Sequence, residues 1–213
     1  MPESFPLVRQ GETRGRKNEV FTHSFDVLCA GIGLFLLSPL FGLIAAAIKI
    51  DDGGPVFYAQ VRVGRMFRPF RVLKFRSMVV GADQKGLLTA HADSRLTRMG
   101  RILREYKLDE LPQLLNVLHG DMQLVGARPE VGRYVEMFRP QYDLILQERP
   151  GLTDPATVAY SREDRVFSSS NIEQQYVSEI LPEKLRLSLE YQRRRGFFSD
   201  LGILLKTIAS LAA

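Results

Sequence analysis

Asp109 and Glu110 stand side by side in Leu108-Asp109-Glu110-Leu111-Pro112. Arg101 and Arg104 precede them, and Arg128 follows in Val125-Gly126-Ala127-Arg128-Pro129-Glu130. Acids framed by arginines point to phosphate chemistry. Carboxylate oxygens suit a hard divalent cation whose other ligands are commonly substrate phosphates. A carboxylate can also attack phosphorus and form an aspartyl phosphate. Arginine and metal would neutralise the charge that develops on transfer. Lys74 and Arg76 alternate with Leu73 and Phe75. On a strand that spacing puts the two cations on one face, a pair able to hold a diphosphate.

A plainer reading competes. Leu111, Leu114, Leu115 and Leu118 follow the i, i+3, i+4, i+7 spacing of an amphipathic helix. Asp109 is then a candidate N-cap, Pro112 falls in the first turn, and Gly120 ends the helix. Capping and the helix dipole alone would explain acids at that position. The flanking Arg104 and Arg128, and the attraction of a helix start for phosphate, favour a site.

Several elements must position these residues. Val56-Phe57-Tyr58 and Phe70-Arg71-Val72-Leu73 flank a turn at Gly64-Arg65 and predict a β-hairpin. No acid occurs between Val56 and Ala82, whereas Arg62, Arg65, Arg68, Arg71, Lys74 and Arg76 all do. Such a ribbon suits anionic lipid or nucleic acid, but no nucleic-acid-binding signature accompanies it. A non-catalytic, membrane-anchored protein that binds anionic lipid or nucleic acid is the alternative to an enzyme. Residues 81–99 read as loop, with His91 on the surface. Near the C-terminus, Arg193-Arg194-Arg195-Gly196-Phe197-Phe198 precedes a stripe of Leu201, Leu204, Leu205, Ile208 and Leu211. That stripe fits a helix packed on the core or one lying in a membrane interface.

Val27 through Ile48 is uncharged and apolar. A helix of about 20 residues reaches across a bilayer. Ser38-Pro39 interrupts it: proline lacks the N–H that would bond the carbonyl of Phe35. Ser38 has a hydroxyl able to serve that carbonyl. Arg14, Arg16 and Lys17 precede the run, and Lys49, Arg62 and Arg65 follow it. Positive flanks on both sides favour ends on one face. Charge and proline leave re-entrant and spanning helices both open, with a buried core helix less favoured.

The whole chain of 213 residues carries a net charge of +5, which fits an anionic partner. Cys29 is the single cysteine, so no disulfide framework or cysteine-rich metal site can form within one chain. No Walker A, GxGxxG or HExxH motif is present, and no histidine pairs with Ser or Cys in a catalytic pattern. Residues 1–20 read as a tail, 21–50 as the membrane helix and 51–213 as a catalytic domain.

Ser38-Pro39, Gly54-Pro55-Val56-Phe57, Phe70 through Met78, Leu108 through Leu118 and Gly120 through Glu130 occur in the order seen in one family. The chain resembles the small monotopic phosphoglycosyl transferases of the bacterial sugar transferase family over about residues 25–150. The resemblance implies an α+β fold, mostly helical with a small hairpin, with a re-entrant helix broken at Ser38-Pro39 and interfacial helices. It implies transfer of a sugar-1-phosphate from a UDP-sugar to polyprenyl (undecaprenyl) phosphate, with release of UMP. It implies Asp109 as nucleophile, Glu110 as partner acid or metal ligand, and Mg²⁺ held by Asp109 and Glu110. Lys74, Arg76, Arg104, Arg128, Arg162 and Asp200 become candidate substrate-binding residues. The expected location is the cytoplasmic face of a bacterial inner membrane, with lipid as a partner and no nucleic acid. Two departures stand out. Ala127 replaces the family's usual Pro, and Thr153-Asp154-Pro155-Ala156-Thr157 departs from the family's loop, so the sugar does not carry over.

Overall fold

The computed structural model describes residues 16–82, 88, 93–161 and 172–212. Helix α1, Arg16–Asp52, is a single helix with Pro39 inside it. It begins within the stretch read as tail. The Ser38 hydroxyl donates to the Phe35 carbonyl at 2.8 Å. That carbonyl is the one Pro39 cannot serve, so the expected substitution of side chain for backbone donor is present.

One stripe of α1 is buried: Thr22, Asp26, Ala30, Ile44 and Ile48. The spacing follows the helical period. Toward the N-terminal half, Ala30 packs with Leu114 and Val117. Phe25 meets Phe197 edge-on, with ring centroids 5.2 Å apart. Toward the C-terminal end, Ile44 and Ile48 pack with Phe75 and Leu103. The opposite face is apolar and exposed, including Phe35 at 79% and Ile50 at 85%. This helix is long and apolar enough to cross a membrane.

Strands β1, Phe57–Val63, and β2, Pro69–Phe75, form the expected antiparallel hairpin, with Tyr58 opposite Lys74. The turn holds a short 3₁₀ segment, and Met66 and Phe67 take positive φ there. Helix α2, Arg98–Glu105, lies where the sequence read loop and arginines. Thr97 caps it by accepting from the Gly100 N–H at 2.9 Å. Gly100 abuts the Ser77 carbonyl so closely that a Cβ would overlap it.

A 3₁₀ turn, Leu108–Glu110, leads into helix α3, Gln113–His119, which ends at Gly120 in the left-handed region as expected. The buried face of α3 is Gln113, Leu114, Asn116 and Val117. Leu118 is on the exposed side, correcting the leucine stripe. Strands β3, Gln123–Val125, and β4, Gly151–Thr153, pair in parallel. Gly151 abuts the Gly126 backbone so closely that a Cβ on Gly151 would overlap it.

Between those strands lie α4, Gly132–Met137, and α5, Arg139–Ile145. After β4 come α6, Pro155–Ala159, and then α7, Ile172–Gln175. A π-helical turn joins α7 to α8, Leu181–Arg194. These segments build a second core around Tyr134, Tyr142, Tyr176 and Leu185. Helix α9, Phe197–Ala212, closes the chain. The fold is α+β and mostly helical.

Replacing Gly100 by Ala is expected to cost on the order of 3 kcal/mol, because the added methyl meets backbone that cannot yield. Chemical denaturation measures this; an unchanged midpoint would show that α2 does not sit tightly on Ser77.

Candidate active site

Three local structures converge on the acid pair. After α2 the chain turns through Lys107, which has φ 55 in the left-handed region. The 3₁₀ turn then presents Asp109 and Glu110 in succession. Asp109 is not the N-cap. Pro112 occupies that position in helical conformation, and no side chain caps α3. The strand β2 brings Lys74, and the segment after β3 brings Arg128.

Glu110 is gripped from two sides. Lys74 Nζ donates to Glu110 Oε1 at 3.0 Å. Arg128 Nη1 donates to Glu110 Oε2 at 2.9 Å, and Arg128 Nη2 donates to Oε1. This is a bidentate arginine–carboxylate pair with a lysine added, a strong and directional arrangement. Burial by itself would raise the Glu110 carboxyl; Arg128 and then Lys74 outweigh it and hold it well below the usual glutamate range. Burial pushes the Lys74 ammonium down, with Glu110 opposing.

Asp109 is treated differently by the same fold. It is 4% exposed. Among the described residues its carboxylate accepts no hydrogen bond. Burial pushes its carboxyl up, Lys74 opposes, and the Glu110 charge adds to the rise. Asp109 thus keeps its lone pairs unengaged beside a cluster of cations, which is what an attacking carboxylate needs. The Arg104 charge also acts on it. Arg104 is held by its Nε donating to Ser77 Oγ at 3.2 Å.

Other sequence-predicted residues lie elsewhere. The side chain of Arg76, beyond the end of β2, does not join Lys74. It donates to the Asp52 carboxylate at the end of α1, to the Pro55 carbonyl at 2.6 Å and to the Met78 carbonyl at 3.2 Å. The Arg76 N–H still donates to the Val56 carbonyl at 2.9 Å, but the Asp52 carboxylate holds the guanidinium away from Lys74. Asp200 binds Tyr191 at 2.6 Å and the Arg195 guanidinium at 3.1 Å. Arg195, from the cluster of arginines before α9, is turned inward between Asp200 and Glu148. Asp154, Thr153 and Thr157 of the divergent loop also face inward. Asp154 caps α6 and accepts from Ser188 Oγ at 2.5 Å, and Thr153 pairs with Thr207. Arg162 and His91 lie outside the described residues.

Two supporting groups escaped the sequence reading. Asn116 bonds across to β2. Glu130 binds Arg62 at 2.5 Å and accepts from the Tyr176 hydroxyl at 2.7 Å, tying the Arg128 segment to the hairpin and to the second core. Spacing gives no hint of either, because each acts across the fold. As for metal, no cluster of three acids, histidines or cysteines occurs among the described residues. Both Glu110 oxygens are engaged by cations. Asp109 alone offers an open carboxylate, so a hard cation fits only with substrate phosphates and water completing its shell.

A helix long and apolar enough to cross a membrane thus packs on the body that carries a buried cluster of acids and cations. A family model described as bacterial sugar transferase matches residues 17–213. The chain is 34% identical over 204 residues to the exopolysaccharide production protein ExoY of Rhizobium meliloti, covering 88% of this chain and 84% of that one. It is 37% identical over 190 residues to the UDP-glucose:undecaprenyl-phosphate glucose-1-phosphate transferase of Caulobacter vibrioides, covering 87% and 67%. A putative undecaprenyl-phosphate N-acetylgalactosaminyl 1-phosphate transferase of Bacillus subtilis is 40% identical over 129 residues, covering 60% and 68%. The chain belongs to the bacterial sugar transferase family and is a transferase.

The two acids should affect stability in opposite ways. The Glu110 carboxyl titrates lower in the folded chain than in the unfolded one. Its ion pairs therefore contribute fully above the ordinary value of 4.5 and are lost as pH falls through the lower folded value. The stability gap between wild type and Glu110→Gln is expected to be constant near neutrality and to close below that value. A gap independent of pH in denaturant titrations would contradict the pairing. Asp109 works the other way: its ionised form is disfavoured by burial. Asp109→Asn is expected to melt at or above wild type, by up to roughly 2 kcal/mol.

Proposed function

We propose that the chain transfers a sugar-1-phosphate from a UDP-sugar to polyprenyl phosphate, an early membrane step in polysaccharide or glycoconjugate assembly. The observation that carries this is the asymmetry of the acid pair: Glu110 is saturated by Lys74 and Arg128, while Asp109 is buried and unengaged. Asp109 attacks the sugar-bearing phosphorus. The bond from that phosphorus to the bridging oxygen breaks, and UMP leaves with the electron pair. A polyprenyl phosphate oxygen then attacks the same phosphorus and expels the Asp109 carboxylate. The mechanism is ping-pong. Lys74, Arg104 and Arg128 balance phosphate charge through both steps, and Glu110 holds Lys74 and Arg128 in place. Arg162 is a further substrate-binding candidate; Asp200, held by Tyr191 and Arg195, would bind substrate only by giving up those partners. Mg²⁺, held by Asp109 and substrate phosphates, with Glu110 joining if Arg128 releases it, would neutralise the diphosphate.

The relatives named as UDP-glucose transferases acting on undecaprenyl phosphate support this substrate class. A non-catalytic anchor would have no use for a buried, uncapping Asp109. The packing of α1 supports a re-entrant, monotopic arrangement. Both halves of the helix contact the protein body, the first through Phe25 with Phe197 and Ala30 with Leu114, the second through Ile48 with Leu103. Shared packing on one body favours keeping both halves of the helix on the same side of a bilayer. Phe198, Leu201, Leu205 and Ile208 are exposed along α9. That face suits the acyl boundary and favours the interfacial reading of the C-terminal helix. The site would then work at the cytoplasmic face of an inner membrane, where a soluble and a lipid substrate meet.

Purified protein in detergent, given Mg²⁺ and a panel of UDP-sugars with polyprenyl phosphate, is expected to release UMP with one of them. Asp109→Asn should reduce the rate by at least about 10³-fold. Undiminished release in that variant would remove Asp109 from its role. Topology has its own test. In a Cys29→Ser background, single cysteines at Phe21 and Ile50 should label from the same side of sealed vesicles. Labelling from opposite sides would require a spanning helix.

A further inference from the structure

Asn116 is 3% exposed in the middle of α3. Its carboxamide reaches the edge of β2 that faces away from β1. Nδ2 donates to the Arg71 carbonyl at 2.7 Å, and the Leu73 N–H donates to Oδ1 at 3.0 Å. Arg71 and Leu73 pair with Val61 and Ala59 of β1 on the other edge. The side chain thus takes the place of a third strand over one pair of residues. Its own backbone carbonyl accepts from the N–H groups of Asp121 at 3.0 Å and Met122 at 3.3 Å. One residue ties β2, α3 and the approach to β3 together. Only a carboxamide donates and accepts in this fashion; Leu does neither, and ionised Asp lacks the donor.

Lys74 directly follows Leu73, and its Nζ lies 3.0 Å from Glu110. A slip of β2 along α3 would carry Lys74 off the acid pair. We infer that Asn116 is a positioning residue: it fixes the register of β2 on α3 and thereby sets Lys74 against Glu110 and Asp109. The kinetic consequence rests on the transferase reading above; the placement of Lys74 does not.

Two measurements on the full chain in detergent micelles test this. The first is lysine labelling at fixed pH with an amine-reactive acetylating reagent, read by peptide mass spectrometry. Asn116→Ala is expected to raise labelling of Lys74 severalfold while leaving Lys184, a buried lysine in the second core, unchanged. Unchanged Lys74, or an equal rise at Lys184, would overturn the inference, since the second pattern means general loosening. If Asn116→Ala does not fold, Asn116→Asp serves, because it keeps the acceptor for Leu73 and loses the donor to Arg71. The second measurement is a double-mutant cycle on UMP release. Asn116→Ala should lower kcat/KM by about 10²-fold, the usual cost of misplacing a group by about 1 Å. In a Lys74→Met background the same change should cost under about threefold, since the two act through one contact. Equal losses in both backgrounds would show that Asn116 acts independently of Lys74. Absence of UMP release from wild type would sink the reaction and leave the labelling result to decide on Asn116.

Discussion

Two adjacent carboxylates cannot both be buried and charged without cations beside them. The fold answers with an unequal division. Lys74 and Arg128 both go to Glu110, while Asp109 receives the fields of Lys74, Arg104 and Lys107 without a hydrogen bond from any described residue. The outcome is one acid fixed in its ionised form and one left open. Capping would have spent Asp109 on backbone N–H groups, but Pro112 takes the cap position. The acid proposed to react is therefore the less satisfied member of the pair. Under the proposed function, stability and chemistry would compete at this residue.

The rest of the molecule holds that division in place. The cations come from segments distant in sequence, so the cluster depends on how α2, β2 and the segment after β3 dock on one another. Gly100 lets α2 sit directly on Ser77, which orients Arg104. Asn116 holds the edge of β2, and Glu130 holds the Arg128 segment to Arg62 and Tyr176. Helix α1 lies along this assembly and is clamped at its end by Arg76 and Asp52. The apolar face it leaves uncovered and the acid pair belong to one body, which under the proposed function would join lipid contact to the chemistry.

Much of this was legible in the sequence. The apolar run with Ser38-Pro39, the basic hairpin, the helix ending at Gly120 and the acid pair with Arg128 all appear where their local patterns put them. Local patterns failed where tertiary partners decide. Arg76 shares the alternation of Lys74 yet leaves the site, because the Asp52 carboxylate at the end of α1 takes its guanidinium. Asp109 has the sequence of a cap and the structure of a free acid, because a 3₁₀ turn intervenes before α3. Strands β3 and β4 are three residues each, too short for alternation to show. Helix α2 carries so many arginines that its apolar face is nearly invisible. Leu118 fits the helical period but lies on the exposed side. Asn116 reads as an ordinary helix residue until β2 is laid beside it.

The unequal acid pair has one direct test. Purified protein is mixed with its UDP-sugar and Mg²⁺ in the absence of polyprenyl phosphate, quenched with acid and weighed intact. A mass gain of one sugar phosphate, mapped to Asp109 and missing from Asp109→Asn, is the expected result. No adduct in wild type under conditions that release UMP, or an adduct that survives in Asp109→Asn, would contradict it.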